Sequence, residues 1–384
     1  MPTSRPAIDL VRYWSEEEFA ESQSVWDELR GRSVADPLFM AWDWQWLWWQ
    51  HHRDLMGGSL AIVACYAGGE LVGLAPFYLH TATHRGRVRA SRLELIGSTF
   101  RDGRGVFSEY LDIIVDRDRA AEACAAIAGH LLADRRWDGL VVGNTPTTGP
   151  AAQMIRHHFA QSCLVREIDP LESHVVELPR DFASYLGTLS GSMRRKLWNQ
   201  RSKLVDPVLV VAGPDQIHGV FHQIDAFHMR RWNSPQYIGT ARAFHFALAP
   251  LLLKRGALRL STLYSAGTPI AVMYNVRLGE TEYNLQSGFD PDRSTGLSPG
   301  YLHFGYCMEA ACHEGVQRFD LLAGGGRFRQ YKRDFGTTEV PLITLQVIRA
   351  RRLKFLYSVY KIVAGGSWRL RRSRRPDSIL MEAQ

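Results

Sequence analysis

The sequence predicts a mixed α/β (α+β) protein of two similar halves, each a mostly antiparallel sheet flanked by helices, followed by a basic C-terminal helix. The chain has 384 residues, which exceeds the size at which one hydrophobic core usually stops growing. Two hairpins of alternating apolar residues, at 61–78 and 259–276, share a short glycine turn and lie among segments with helical periodicity. A duplicated unit accounts for the length, with two unrelated hairpins as the alternative.

The first half begins with an amphipathic helix, which the helical spacing of apolar residues predicts at 16–29. A tryptophan-rich stretch follows, in which Trp42, Trp46 and Trp49 also have helical spacing. The remaining predicted elements of this half are strands at 59–66, 71–78, 92–96, 110–115 and 137–142 and an alanine-rich helix at 118–133.

The second half repeats this scheme after a basic helix predicted at 182–204. It continues with helices at 217–231, 241–254 and 299–314, strands at 258–264, 269–276, 281–288 and 317–322, and a glycine turn at 324–326. We therefore place the first domain at 1–178, the second at 179–348, and a basic helix with its tail at 349–384.

Positive charge is concentrated near the C-terminus. Ten basic and no acidic residues fall within 349–375, whereas residues 1–348 include 36 basic and 37 acidic ones. A near-neutral body argues against nucleic-acid binding by charge, so no nucleic-acid partner is expected. The segment 349–375 alternates apolar and basic residues, which suits either peripheral contact with an anionic membrane or a helix docked on the body.

The cysteines indicate a reducing compartment and no metal centre. There are five, an odd number, without a Cys-x-x-Cys pair, and Cys307 and Cys312 are off a common helical face. No apolar run approaches the ~20 residues that cross a bilayer, and residues 1–9 lack the apolar core of a signal peptide. We expect a cytoplasmic protein without a metal, peripheral at the inner membrane face if 349–375 contact lipid.

A candidate anion-binding loop precedes the helix predicted at 299–314. Small residues lead into a helix whose first turn contains Pro299, and such a helix start presents free backbone N–H groups and positive dipole charge. A diphosphate suits this position. The alternative is a structural helix start capped by Ser298. The candidate ligand-binding residues are Arg293, Gly296, Ser298, Gly300 and Tyr301.

The string Arg293-x-x-Gly296-x-Ser298 resembles the diphosphate loop of GNAT acyltransferases. The stretches that follow resemble the closing section of CelD/BcsL-type GNAT acetyltransferases, which are associated with cellulose or exopolysaccharide synthesis and are similar in architecture to FemAB peptidyltransferases. The matching stretches are 297–302, 315–322, Gly326 and 331–336, preceded in order by 37–49, 71–78, 109–112 and 189–197. The resemblance covers about residues 39–336.

This resemblance implies tandem GNAT domains and acetyl-CoA or another acyl-CoA as donor. The acyl-CoA site is expected in the second domain, because residues 114–119 provide no Gly-x-Gly loop before the alanine-rich helix of the first. The first domain is then expected to offer surface to the acceptor.

Acyl transfer needs a base for the acceptor proton and hydrogen-bond donors for the developing oxyanion. Asp320, which ends a predicted strand beside the loop, is the candidate base or orienting group. Tyr331 is the candidate acid toward the leaving thiolate, with Lys332 as its electrostatic partner. The structural alternatives are a turn residue for Asp320 and a half-buried core aromatic for Tyr331.

Four further residues are candidates for substrate binding. Arg195 and Lys196 lie in the basic helix, which suits an anionic acceptor or the 3′-phosphate of CoA, or else forms a solvated linker. Trp42 suits stacking on a sugar, or belongs to the core. Asp112 lies on the analogous strand of the first half and either contacts the acceptor or caps a loop.

Together these features predict transfer of an acetyl or other acyl group from acyl-CoA to an amine or hydroxyl of a small acceptor, such as a cell-envelope or exopolysaccharide precursor. One alternative is a FemAB-like transferase that uses aminoacyl-tRNA, which the near-neutral body disfavours. Another is a non-catalytic GNAT-fold scaffold of a polysaccharide synthase.

Overall fold

The computed structural model of the chain describes residues 6–84, 88–98, 106–293, 296–323 and 327–365. They divide into two compact units, the first within Met1–Leu171 and Pro341–Ala383 and the second within Glu172–Val340. The predicted glycine turn at 324–326 and the predicted tail after residue 365 lie outside the described residues.

Strands and helices alternate along the chain. The strands are β1 (Ile8–Tyr13), β2 (Ser59–Ala67), β3 (Glu70–His84), β4 (Val88–Leu95), β5 (Ile114–Val115), β6 (Gly139–Pro146), β7 (Leu164–Glu177), β8 (Val208–Val211), β9 (Leu258–Ser265), β10 (Thr268–Leu278), β11 (Thr281–Phe289), β12 (Arg318–Ala323) and β13 (Thr338–Ile348). The α-helices are α1 (Glu16–Glu21), α2 (Gln23–Gly31), α3 (Trp42–Met56), α4 (Ala120–Ala133), α5 (Pro150–Met154), α6 (Phe182–Thr188), α7 (Gly191–Leu197), α8 (Ile217–Trp232), α9 (Gly239–Lys254), α10 (Pro299–His313), α11 (Arg327–Arg333) and α12 (Arg351–Gly365).

In the first unit, neighbouring strands follow the order β1-β2-β3-β4-β6-β13, with β5 paired to β3. β4 and β6 are parallel, and the other pairs are antiparallel. Aromatic rings dominate the core, including the fully buried Trp26, Trp44 and Trp48. Trp48 on α3 lies 5.6 Å from the ring of Tyr78 on β3, so burial of large aromatic surfaces holds α3 against the sheet.

In the second unit, the strand order is β7-β12-β11-β10-β9-β8. β11 and β12 are parallel, and the other pairs are antiparallel. Met273, Phe304 and Phe319 lie in one buried cluster that joins α10 to the sheet. A Cβ atom at Gly305 would clash with the carbonyl oxygen of Leu197, so the close approach of α7 to α10 requires glycine there.

Both units repeat one order of connections. The strands β2-β3-β4 and β9-β10-β11 are antiparallel meanders, and each is followed by a long helix, α4 or α10. After the helix comes a strand parallel to the third of the meander, β6 or β12. Apart from the short β5, the schemes agree, which confirms the predicted fold class of mostly antiparallel sheets flanked by helices.

Three predicted elements were wrong in extent. The helix at 16–29 is divided at Ser22, whose hydroxyl donates to the Phe19 carbonyl and ends α1. The basic helix at 182–204 is three shorter helices, because Ser190 caps the start of α7 through the Met193 N–H, and a 3₁₀ turn follows α7. The strand at 110–115 is confined to β5, since Tyr110 has a left-handed backbone, with φ of 51°.

The boundary between the units falls within two strands, β7 and β13, that the sequence did not predict. β13 pairs with β6 from Leu342↔Pro146 to Ile348↔Gly139, which returns the chain after Val340 to the first unit. The observed boundaries are therefore at 171 and 340, whereas the sequence placed them at 178 and 348. Among the helices of the described ranges, none has both the length and the hydrophobicity needed to cross a bilayer.

Candidate functional site

The parallel strands β11 and β12 of the second unit stop pairing before either strand ends. Their register, in this fully described part of the sheet, finishes at Tyr283↔Asp320, although β11 continues to Phe289 and β12 to Ala323. The helix α10 connects the two strands, and a Cβ atom at Gly300 in its first turn would lie 3.1 Å from the Phe289 ring. We call this opening the fork. It is a place where an extended ligand can lie against the free edge of β11.

Ser287 faces the fork from β11. Its N–H donates to Gln286 Oε1 at 2.9 Å, and Nε2 of His228 on α8 lies 3.1 Å from its carbonyl oxygen. The N–H and the C=O of a strand residue point to the same edge of the strand. In Ser287 the N–H binds Gln286 and the C=O binds His228. The free edge of β11 therefore carries a backbone donor and a histidine side by side.

His228 is suited to accept a proton. When Nε2 donates to the Ser287 carbonyl, a neutral imidazole leaves Nδ1 as an acceptor. Burial lowers the pKa of His228 below its ordinary value, because a partly desolvated imidazolium is disfavoured. The ring is therefore neutral, and basic at Nδ1, at neutral pH.

Two side chains hold the loop that leads into α10. Lys203 Nζ donates to the Gly296 carbonyl at 2.8 Å, and the Ser298 N–H donates to Gln200 Oε1 at 2.9 Å. Gly296 has φ of +74°, which a glycine adopts without strain. Pro299 begins the helix as predicted, but among the described residues the Ser298 hydroxyl makes no capping hydrogen bond. The first-turn N–H groups of α10 lack intrahelical acceptors by geometry and are available to an anion.

Three predicted residues, Lys196, Tyr301 and Tyr331, come together at the start of α10. The Tyr301 ring stacks on Phe335, with centroids 5.6 Å apart, and meets the Tyr331 ring edge-on at 6.5 Å. Lys196 Nζ lies 4.7 Å above the Tyr301 ring, at cation–π distance. Burial raises the pKa of Tyr331 well above its ordinary value, so its hydroxyl remains protonated at neutral pH and can act only as a proton donor.

Asp320 and Lys332 brace the end of β12. The Asp320 carboxylate, 2% exposed, accepts from the Leu322 N–H at 2.7 Å and from the Ser173 hydroxyl at 3.1 Å. Lys332 Nζ donates to the carbonyls of Leu321, Leu322 and Ala323 at 2.7, 3.1 and 2.7 Å. Leu322 has φ of 58°, and the register of β12 with β7 shifts here. These contacts suit residues that position the backbone of a bulge.

The other predicted cations of this unit are on the surface. Arg293 lies in a 3₁₀ turn after β11, with its side chain 43% exposed and 4.0 Å from Asp290. Arg195 is exposed on α7, one residue before Lys196. Both positions are compatible with contact to phosphate in solvent.

Trp42 belongs to the aromatic core of the first unit. Its ring stacks on Trp46 with centroids 5.7 Å apart, and its Nε1–H donates to the Phe19 carbonyl at 2.9 Å. The ring is partly buried. Its contacts are those of a core residue at the start of α3, with one side still accessible.

Asp112 caps a helix in the first unit. Its Oδ1 accepts from the N–H of Ala151, in the first turn of α5, at 2.6 Å and from the N–H of Ile113 at 2.8 Å. The carboxyl is 3% exposed, and burial raises its pKa to about 7. This geometry matches the predicted capping alternative.

This carboxyl makes stability depend on pH. Its folded-state pKa of about 7 lies above the ordinary 3.8, so the folded chain binds more protons than the unfolded chain between those values and loses stability as pH rises. The loss from this group is up to ~4 kcal/mol. Asp112→Asn keeps an acceptor oxygen and cannot ionise. We expect its stability relative to wild type to increase from about pH 5 to about pH 8, measured by chemical denaturation.

Asp215→Asn, at an exposed position on a 3₁₀ turn, is the matched control. If the free energies of unfolding of Asp112→Asn and wild type change with pH in parallel, the carboxyl does not titrate in this range, and burial does not raise its pKa.

The class of the second unit follows from comparison with known families. Residues 191–333 match the family model of the acetyltransferase (GNAT) domain. The match begins with α7 and includes the fork, α10 and all of α11. The chain thus contains a GNAT acetyltransferase domain, and this supports an acyltransferase.

Solved structures share the fold over most of the chain. The structure of FemX has a TM-score of 0.58 at 11% identity and covers 87% of this chain and 97% of its own. A protein of unknown function from Bacteroides thetaiotaomicron has a TM-score of 0.54 at 14% identity, covering 88% and 99%. The C-terminal domain of a putative lysylphosphatidylglycerol synthetase from Agrobacterium fabrum has a TM-score of 0.50 at 9% identity, covering 86% and 92%. A search of curated proteins found no match.

The sequence analysis missed His228, Ser287 and Gln286. The helix at 217–231 and the strand at 281–288, which contain these residues, were predicted. A histidine within a helix, however, has no local sequence pattern that distinguishes a functional side chain from an ordinary surface one. The proximity of His228 to Ser287 depends on how α8 crosses β11. Gln200 was missed for a similar reason, since it reaches Ser298 across 98 residues of sequence.

Proposed function

We propose that this chain transfers an acetyl or other acyl group from acyl-CoA to an amine or hydroxyl of a small acceptor. The observation that carries the proposal is the fork between β11 and β12 with the first turn of α10 beside it. The GNAT domain match over 191–333 supports an acyl donor of this kind.

The donor diphosphate is proposed to lie at the start of α10. The N–H groups of Gly300 and Tyr301 and the positive end of α10 suit an anion, and Gly296 and Ser298 belong to the loop that leads to them. Lys203 contacts this loop at the Gly296 carbonyl, and Lys196 lies above the Tyr301 ring. We propose that the exposed Arg195 and Arg293 contribute further positive charge to the bound donor. They suit the remaining negative charge of the nucleotide, including its 3′-phosphate.

The thioester is proposed to lie along β11. The thioester carbonyl needs a hydrogen-bond donor as negative charge develops on its oxygen. The proposed donor is the Ser287 N–H, which now binds Gln286 Oε1 and would exchange this acceptor for the thioester oxygen. His228 then takes the proton of the acceptor through Nδ1. Tyr331 gives a proton to the departing thiolate.

Asp320 and Lys332 support this arrangement as positioning residues. We predicted Asp320 as base or orienting group, and its two hydrogen bonds and near-complete burial favour orientation. Lys332 fixes three carbonyls of the same bulge. Neither side chain has to touch a substrate for the fork to form.

The acceptor is proposed to be a cell-envelope or exopolysaccharide precursor, because the sequence resembles CelD/BcsL-type acetyltransferases. A FemAB-like donor, aminoacyl-tRNA, is the second candidate, because the fold of FemX extends over 87% of this chain. The near-neutral charge of residues 1–348 favours the acyl-CoA donor.

Ligand-induced stabilisation tests the donor class. A ligand that binds the native state at a hundred times its Kd stabilises it by ~2.7 kcal/mol, so we expect acetyl-CoA to raise the Tm. Lys203→Met should weaken this shift, because the cation beside Gly296 is lost. Lys254→Met, at an exposed end of α9, is the matched control. A Tm shift with aminoacyl-tRNA and none with acetyl-CoA would select the second candidate, and no shift with either would contradict both.

A further inference from the structure

We propose that α12 docks this protein on an anionic lipid surface. The proposal rests on an exposed aromatic residue, on the charge of the surrounding chain, and on the contacts that fix α12 to the first unit. It does not depend on the proposed acyl transfer.

One face of α12 holds it to the first unit. Leu353 is fully buried, at 0% exposure. The Tyr357 hydroxyl accepts a hydrogen bond from Gln346 Nε2 at 3.2 Å, and the Arg166 guanidinium lies 4.6 Å from the Tyr357 ring centroid. Because Leu353 and Tyr357 are four residues apart, they share this face, and the orientation of α12 on the unit is set.

The opposite face presents an aromatic ring to solvent. Phe355 lies two positions from both Leu353 and Tyr357, which places it across the helix from them, and it is 72% exposed. Arg351, one turn earlier, is also exposed. An exposed phenylalanine beside arginine is typical of a helix that lies in a membrane interface.

The charge around α12 selects an anionic surface. Residues 349–375 contain ten basic residues and no acidic one, while the preceding 348 residues are nearly neutral. Juxtaposed basic residues are attracted by the negative potential of anionic lipids. A nucleic acid would also be attracted by this positive charge. It has no apolar interior into which the exposed Phe355 ring could insert, whereas a lipid bilayer has one.

Vesicle sedimentation tests this with the full chain. We expect binding to vesicles of two-thirds phosphatidylcholine and one-third phosphatidylglycerol, and little binding to phosphatidylcholine alone. Phe355→Ser should weaken binding about tenfold or more, because the transfer of the ring out of water is lost. Val34→Ser, at a position of the first unit that is 67% exposed and lies outside α12, should bind as wild type does. Equal binding by Phe355→Ser and wild type would overturn the proposal.

A second variant tests the electrostatic part. Arg351→Gln, on the same exposed face of α12 as Phe355, should reduce binding to anionic vesicles, as should high salt. Equal affinity for anionic and neutral vesicles would overturn the proposal. So would binding to RNA that is as tight as binding to vesicles and is unchanged in Phe355→Ser, since that result assigns the basic segment to nucleic acid.

Discussion

Replacing His228 by glutamine is expected to lower kcat by about 10²- to 10⁴-fold, the usual contribution of a general base. The glutamine amide can still donate to the Ser287 carbonyl, so the contact between α8 and β11 persists. It has no basic nitrogen, so the proton of the acceptor must leave unaided. The measurement is steady-state kinetics with acetyl-CoA and a generic amine acceptor.

The pH profile distinguishes a base from a structural histidine. Burial lowers the pKa of His228 below its ordinary 6.5, so wild-type activity should fall as the pH decreases through that lowered value. The acidic limb should vanish in His228→Gln. His222→Gln, at an exposed position on the same helix, is the matched control and should behave as wild type. Full kcat in His228→Gln, with a large loss in Asp320→Asn, would assign the base to Asp320 instead.

Replacing Lys332 by methionine is expected to destabilise the second unit by about 3 kcal/mol, because three buried carbonyls lose a charged donor. Methionine retains most of the side-chain volume, which limits the effect to the lost hydrogen bonds. Chemical denaturation followed by tryptophan fluorescence measures the loss, and acetyl-CoA affinity should fall with it.

The neighbouring Arg333 provides the control. Its side chain is 44% exposed and pairs with Glu339 at 2.5 Å, and such surface pairs contribute up to about 1 kcal/mol. Arg333→Met should therefore have a small effect. If Lys332→Met lowers kcat while stability and donor affinity are unchanged, Lys332 acts electrostatically in the reaction, as the sequence analysis predicted.

The elements predicted with local signals were confirmed. The two hairpins have alternating apolar residues and a glycine turn, and they are β2-β3 and β9-β10. The helix at 299–314 has a proline at its first position and is α10. By contrast, β7 and β13 carry charged residues and Pro341 among their apolar residues, and their strand character depends on partners far along the chain.

The candidate site was predictable to the extent that it lies on one segment. The loop from Gly296 to Tyr301 is contiguous, so its glycine and its proline-initiated helix are visible in the sequence. Lys196 and Tyr331 were predicted separately, and the fold brings both of them to the Tyr301 ring. The roles of Asp320 and Lys332 could not be read locally, because their partners lie on the backbone of a bulge that only long-range pairing creates.

Local composition was sufficient to specify the duplicated α/β class, the start of α10 and the basic C-terminal segment, because each is visible in the spacing and composition of contiguous segments. Folding alone specified the fork, the pairing of His228 with Ser287 and the capping of α5 by Asp112. Each of these joins residues at least 37 positions apart in the chain, and no local preference for helix or strand encodes such a distance.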